Sequence, residues 1–278
     1  MAVAFGSVAT TVWATSDGIT INKPSGLALG ELMVAHIVVE GAGSPNDITL
    51  TGWTLIVGFD DSEVAAILWK FADSGDVAAT NFTFNTDGSH KCGGAIYRFT
   101  GGSNAFVAGT YDTTSTTTSH VFDTADITPT TADSMILFLF HTYGGAVGVT
   151  SAYAIATSDP TWTEAYDFSN DTGTDMCLSS AYAVRTAVTS TGDASCTTTG
   201  TTNGRAVLVA IAPRVDATVT PNVLSVPVVL NASTLGVSFS PNVISIGVTA
   251  NTPVAANPTP DWVNQDKETN TWTDQTKS

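Results

Sequence analysis

Leu32-Met33-Val34-Ala35-His36-Ile37-Val38-Val39 is the stretch that decides the fold class. It is a continuous apolar run, rich in β-branched residues, and Gly41-Ala42-Gly43 closes it as a strand-to-strand turn. It is far short of the roughly 18 apolar residues that a membrane-spanning helix needs. A run of this length and composition reads as a strand covered on both faces. Three more runs have the same character: Gly94-Ala95-Ile96-Tyr97-Arg98-Phe99, Met135-Ile136-Leu137-Phe138-Leu139-Phe140 and Ala206-Val207-Leu208-Val209-Ala210-Ile211. Thr, Ser, Gly, Val and Ala dominate around them, while the helix formers Lys, Glu and Gln are scarce. Thr80-Asn81-Phe82-Thr83-Phe84-Asn85 alternates as a half-exposed strand does, and Asp87-Gly88 predicts a turn after it. Ser62 to Asp73 is the one helix candidate, with Ser62 as cap, but its apolar residues fall on every side of a helical wheel. A strand is the better reading there.

These elements are written twice. Glu31–His36 leads to Gly52-Trp53-Thr54, a strand at Ala65–Phe71, a Gly75-Asp76 turn, a Thr-rich strand and Gly93–Phe99. The second pass runs from Asp133–Phe138 to Thr161-Trp162-Thr163, a strand at Cys177–Arg185, a Gly192-Asp193 turn, the Thr-rich Cys196–Thr202 and Gly204–Ile211. Two such passes, 1–110 and 111–214, predict an all-β body: one antiparallel two-sheet sandwich, jelly-roll-like in general shape. Two tandem four-strand domains are the weaker alternative, because four short strands bury little.

Beyond the body the character changes. No charged residue occurs from Ala217 to Pro260, and Pro221, Pro227, Pro241, Pro253, Pro258 and Pro260 punctuate the stretch. Proline at this density excludes a helix and a central sheet position but suits an extended β tail. Within residues 215–260, Pro221-Asn222-Val223-Leu224-Ser225-Val226 recurs as Pro241-Asn242-Val243-Ile244-Ser245-Ile246. Uncharged β-branched sequence aggregates when left bare, so this segment is expected to lie on protein, its own or a copy's. The last segment, 261–278, is polar and carries a W-x-[ND]-Q-x-K phrase twice, at Trp262-x-Asn264-Gln265-x-Lys267 and Trp272-x-Asp274-Gln275-x-Lys277. Their spacing is even, so in one extended strand both rings face the same side. Large aromatic anchors on a short polar segment read as docking residues. Pro221, Val223, Leu224, Pro241, Val243 and Ile244 join Trp262, Asn264, Gln265, Lys267, Trp272, Asp274, Gln275 and Lys277 as the candidate partner-docking set. A cap on the protein's own sheet is the alternative use of the same residues.

Charge narrows the function classes. Nine Lys and Arg against 25 Asp and Glu give a formal net charge of −16. The basic residues of the body (Lys23, Lys70, Lys91, Arg98, Arg185, Arg205, Arg214) never cluster, so neither a nucleic-acid backbone nor an anionic membrane surface is an expected partner. Cys92, Cys177 and Cys196 are odd in number and match no zinc or redox spacing. Free structural thiols in a reducing cytosol are expected, with a Cys177–Cys196 bridge left open. The N-terminal Met-Ala-Val-Ala-Phe-Gly has neither a basic region nor a long apolar run, so no signal peptide is expected.

Chemistry-bearing patterns are few. His36, His90, His120 and His141 have no metal-ligand spacing, and His36 and His141, in or beside apolar strands, read as hydrogen-bonded core histidines. Asp60-Asp61-Ser62-Glu63 and Asp167-Phe168-Ser169-Asn170-Asp171 to Asp175 are oxygen-rich and read as solvated loops; Ca²⁺ binding is the sharper alternative. Trp53, Trp69 and Trp162 read as core or rim residues, with sugar stacking as their alternative. No nucleophile elbow, phosphate loop or dinucleotide glycine pattern is present, so no catalytic, cofactor-binding or metal residue is assigned and no enzyme is expected.

In style the Thr/Ser/Gly-rich body, with its opening Met-Ala-Val-Ala-Phe and the phrases Gly30-Glu31-Leu32-Met33-Val34-Ala35 and Gly52-Trp53-Thr54-Leu55-Ile56, resembles β-sandwich domains in structural proteins of tailed bacteriophages. The tandem W-x-[ND]-Q-x-K phrases are similar to those that close various phage virion proteins. The resemblance implies a multi-copy virion component made in the host cytoplasm: a capsid decoration protein or head fibre, or else part of a tail fibre or tip. Its implied partners are other virion proteins, major capsid or tail. A homo-oligomer is expected, with a trimer favoured because three copies bundle the apolar repeats. The resemblance brings no catalytic residues. A different class of role, lectin-like receptor binding, would use the loops Asp60–Glu63, Thr113–Ser119 and Tyr166–Asp175 on a host glycan.

Overall fold

The computed structural model describes residues 2–41, 43–60, 63–107, 116–124, 126–143, 149–155, 162–170, 176–192 and 194–214. The tail readings at 215–260 and 261–278 lie outside the described residues. All described residues belong to one unit, Met1–Val219.

The described residues form two antiparallel sheets in a sandwich-like arrangement. The first, five-stranded, holds β1 (Ala4–Asn22), β2 (Leu32–Glu40), β3 (Thr54–Asp60), β4 (Glu63–Phe71) and β5 (Asn81–Thr100), in the order β1-β5-β2-β4-β3. The second, seven-stranded, holds β6 (Gly102–Val107), β7 (Thr116–Thr124), β8 (Ser134–Tyr143), β9 (Val149–Ile155), β10 (Thr163–Asn170), β11 (Met176–Arg185) and β12 (Ala194–Pro213). Its order is β10-β11-β8-β12-β6, with β7 and β9 also on β12. From the other end it repeats the first: a twenty-residue strand (β5, β12) beside a central apolar strand (β2, β8), then β4 or β11, then the edge β3 or β10. Each sequence pass is therefore one sheet. The changeover falls at Gly101, whose φ of 67° lies in the left-handed region that favours glycine, ahead of the expected boundary at 110.

The apolar runs are central for the expected reason. β2 is buried from Leu32 to Val39 because both its faces are covered. Leu32, Val34 and Val38 point inward with Ile67, Tyr97 and Phe99. They meet Met135, Leu137, Leu139, Val207, Val209 and Ile211 of the other sheet in the shared core. Phe5 of β1 stacks on Tyr182 of β11 across that interface, ring centroids 4.3 Å apart. Met33, Ala35 and Ile37 point outward and are covered by Ile19, Ile21, Phe82 and Phe84 from the far halves of β1 and β5. Phe122, Ala194 and Cys196 cover Ile136, Phe138 and Phe140 in the second sheet in the same way. Each fully buried Leu, Ile or Phe contributes about 1.5–3 kcal/mol.

Several local expectations change. Within the stretch read as Ser62 to Asp73, Glu63–Phe71 is a strand, β4, as read. Asp87-Gly88 is not a turn: β5 runs on through it, and residues 86–89 bulge out between the Ser16–His90 and Gly18–Asn85 pairs. The Thr-rich strand and the apolar run after it are therefore one strand in each pass. The Gly75-Asp76 turn is a short helix, α1 (Ser74–Ala78). The Asp73 carboxylate accepts from the Asp76 N–H, and the Asp76 carboxylate accepts from the Asp73 N–H. All three cysteines are buried thiols outside any disulfide, so Cys177 and Cys196 form no bridge.

Candidate functional site

Strand alternation places a polar group inside the shared core. On β2 the inward residues run Leu32, Val34, His36, Val38; on β8 they run Met135, Leu137, Leu139, His141. Glu63 opens the inward row of β4, Phe59 lies on β3, and Arg205 precedes Val207 on β12. The result is a cluster contributed by both sheets: His36 and His141 are 0% exposed and Glu63 is 2% exposed.

His36 Nε2 lies 3.1 Å from His141 Nδ1, and His141 Nε2 lies 3.7 Å from Glu63 Oε1. The first is a hydrogen bond; the second is an electrostatic contact too long to be one. The Arg205 guanidinium stands 5.2 Å from the centre of the Phe59 ring, within cation–π range. His36 Nδ1 and Glu63 Oε2 have no hydrogen-bond partner among the described residues. With Glu63 ionised, the best-satisfied tautomers point His141 Nε2–H at Glu63 and donate His36 Nε2–H to His141 Nδ1. Burial, reinforced by the charge of His141, holds His36 well below the ordinary histidine range. Such an arrangement can hold and exchange protons, but its burial shuts out a substrate.

The two histidines are equivalent positions of the repeat. His36 faces Ala95 on β5 and Ile67 on β4; His141 faces Arg205 on β12 and Leu178 on β11. Setting His36 on His141 also sets Gly94, opposite Ile37, on Gly204, opposite Thr142. Sequence reading took both as core histidines but missed that they meet. The available signal was one histidine late in the central apolar run of each pass.

The oxygen-rich loops are corrected. Glu63 is no solvated loop residue: it begins β4 and points into the core, leaving exposed Asp60 as the outward carboxylate of that group that is described. Tyr166, Asp167 and Phe168 are in strand β10 rather than a loop, and Tyr166 stacks parallel to Phe168 at 6.4 Å. Asp61, Ser62, Thr113, Asp171 and Asp175 lie outside the described residues. Among the described residues no group of three His, Cys, Asp or Glu side chains could hold a metal ion. His90 pairs with Asp87 at 3.0 Å, and the side chain of His120 is not among those described.

Trp53, Trp69 and Trp162 are partly buried against phenylalanines, as rim-of-core residues: Trp53 on Phe84, Trp69 on Phe71 and Phe106, Trp162 on Phe138. The docking candidates Pro221, Val223, Leu224, Pro241, Val243, Ile244, Trp262, Asn264, Gln265, Lys267, Trp272, Asp274, Gln275 and Lys277 all lie outside the described residues. Compared with known proteins, the chain matches no family model, no curated protein and no solved structure.

Proposed function

We propose that this chain is a non-enzymatic structural protein of a bacteriophage particle, a multi-copy capsid decoration or head-fibre protein held on the particle by its C-terminal segment. The observation that carries this reading is the charge-free, proline-punctuated stretch 217–260 followed by the two Trp phrases. Such sequence needs a protein surface to cover it, and it ends in paired aromatic anchors suited to pockets on a neighbour. The body fits the role of the displayed part. Its titratable core residues are sealed between the sheets, and the chain's acidic excess disfavours nucleic acid while keeping many copies from associating unspecifically. The partners in this reading are other virion proteins and further copies of the chain, a trimer by preference.

Deletion of residues 261–278 tests it in phage particles. The truncated chain keeps the cooperative unfolding of the sandwich and is lost from purified particles; normal incorporation refutes the anchoring role. Immunogold labelling with an antibody against residues 1–214 then places the protein. Gold spread over heads is the expected result, and gold confined to tail ends replaces the decoration role with a receptor-binding one.

A further inference from the structure

We propose that the His36–His141 contact is an acid-sensitive latch between the two sheets: it holds with one proton added, and a second proton parts the rings and opens the shared core. This stands on the geometry of the pair and is independent of the proposed function.

Each ring belongs to the central strand of its own sheet, so the contact ties sheet to sheet where the repeats face each other. With neutral rings, one N–H lies between His36 Nε2 and His141 Nδ1. A first proton is tolerated, because an imidazolium on His141 faces Glu63 at 3.7 Å and a tautomer change leaves His36 Nε2 free to accept. A second proton is not. Both facing nitrogens then carry hydrogen at a 3.1 Å separation, and two like charges sit in a site that water does not reach.

The surrounding charges do not relieve this. From β4 comes Glu63, already used by the first proton. From β12 comes Arg205, register partner of His141, which adds positive charge. Glu40, at the end of β2, is register partner of Glu63; Lys91 lies farther along β5 and Asp60 at the end of β3. Tyr97 on β5 is buried level with Val34. β11 presents Leu178 to His141. None of these places a second carboxylate against the imidazoles. The lowered proton affinity of His36 agrees with this balance.

The sign follows. An unfolded or opened chain protonates His36 near the ordinary histidine value of about 6.5. The closed form does not, so stability is complete above that value and declines as pH falls below it. Each such proton raises the opening equilibrium by up to about tenfold per pH unit.

Nuclear magnetic resonance on the full-length protein tests this, following the assigned ring signals of His36 and the amide exchange of β2 and β8 from pH 8 to pH 5. The expected result is a His36 ring that stays neutral while the fold is closed, with amides of both strands losing protection together as it opens. A His36 ring that titrates smoothly near pH 6.5 in an intact fold overturns the proposal, as does unchanged protection down to pH 5. Urea unfolding of His36→Leu gives a second readout. Its stability falls less steeply with acid than that of the parent, and an equal slope in a folded variant also overturns the latch.

Discussion

Gly94 and Gly204 stand in the same place in the two halves, each directly behind the backbone carbonyl of a core histidine on the neighbouring strand. A Cβ on Gly94 would lie 2.7 Å from the His36 oxygen and 2.8 Å from Ile37 Cδ1. On Gly204 it would strike the His141 oxygen and come within 2.8 Å of Thr142 Cγ2. The obstacle in each case includes backbone of a central strand, which cannot step aside. Gly94→Ala and Gly204→Ala are each expected to cost about 1–3 kcal/mol in urea unfolding. Gly88→Ala, where the nearest atom is a His90 ring nitrogen at 3.3 Å, serves as control and is expected to stay within about 0.5 kcal/mol of the parent. Equal effects at all three positions would refute the packing argument.

How much of this was legible depended on the residue. The continuous runs at Leu32–Val39 and Met135–Phe140 announced central strands because both their faces are apolar, and the doubling of the pattern announced two equivalent units. What the runs do not carry is register. Leading each pass by its acidic residue, Glu31 or Asp133, sets His36 beside Phe138, whereas matching Gly94 to Gly204 across the halves sets it on His141. That difference decides whether the two histidines meet. Glu63 was misread for a related reason: in sequence it follows Asp60, Asp61 and Ser62, and only its pairing opposite Glu40 turns it inward. Asp87-Gly88 carried an ordinary turn signal, yet β1 stays paired on either side of it and absorbs it as a bulge.

Arg98 fixes the loop that enters β2. Its Nε and Nη2 donate to the two carboxylate oxygens of Glu31 at 2.7 and 3.2 Å, and Nη1 donates to the Ser25 carbonyl at 2.7 Å. Glu31 in turn accepts from the Ala28 N–H at 2.8 Å. Lysine keeps the charge but cannot form the planar fork. Arg98→Lys is expected to cost about 1–3 kcal/mol and to speed exchange at the Ala28 amide. Unchanged exchange there would show that the loop is held by other contacts.

The three thiols should be silent in the folded protein. Cys92, Cys177 and Cys196 are all buried thiols outside any disulfide, and burial pushes the Cys92 thiol up to about 11. A thiol reagent at pH 8 therefore lacks access to all three, and at Cys92 it also meets almost no thiolate. No thiol is expected to react in buffer, and three per chain in urea. Fast reaction of one thiol in the native protein would mean that an outer apolar layer opens without global unfolding.

Glu63 and His141 are coupled through burial. Replacing His141 by leucine removes the imidazole facing a carboxylate that is 2% exposed, and the carboxylate then lacks that partner in the core. Breaking a buried pair by removing one member costs about 3–5 kcal/mol, much of it the desolvation of the member left behind. Removing both members with apolar replacements avoids that term. His141→Leu alone is therefore expected to be less stable in urea at pH 7 than the double variant His141→Leu/Glu63→Leu, despite carrying one substitution fewer. The difference between the double variant and the sum of the singles measures the coupling. Simple additivity would mean that Arg205 already compensates Glu63, and that the carboxylate does not need the histidine to remain inside the sandwich.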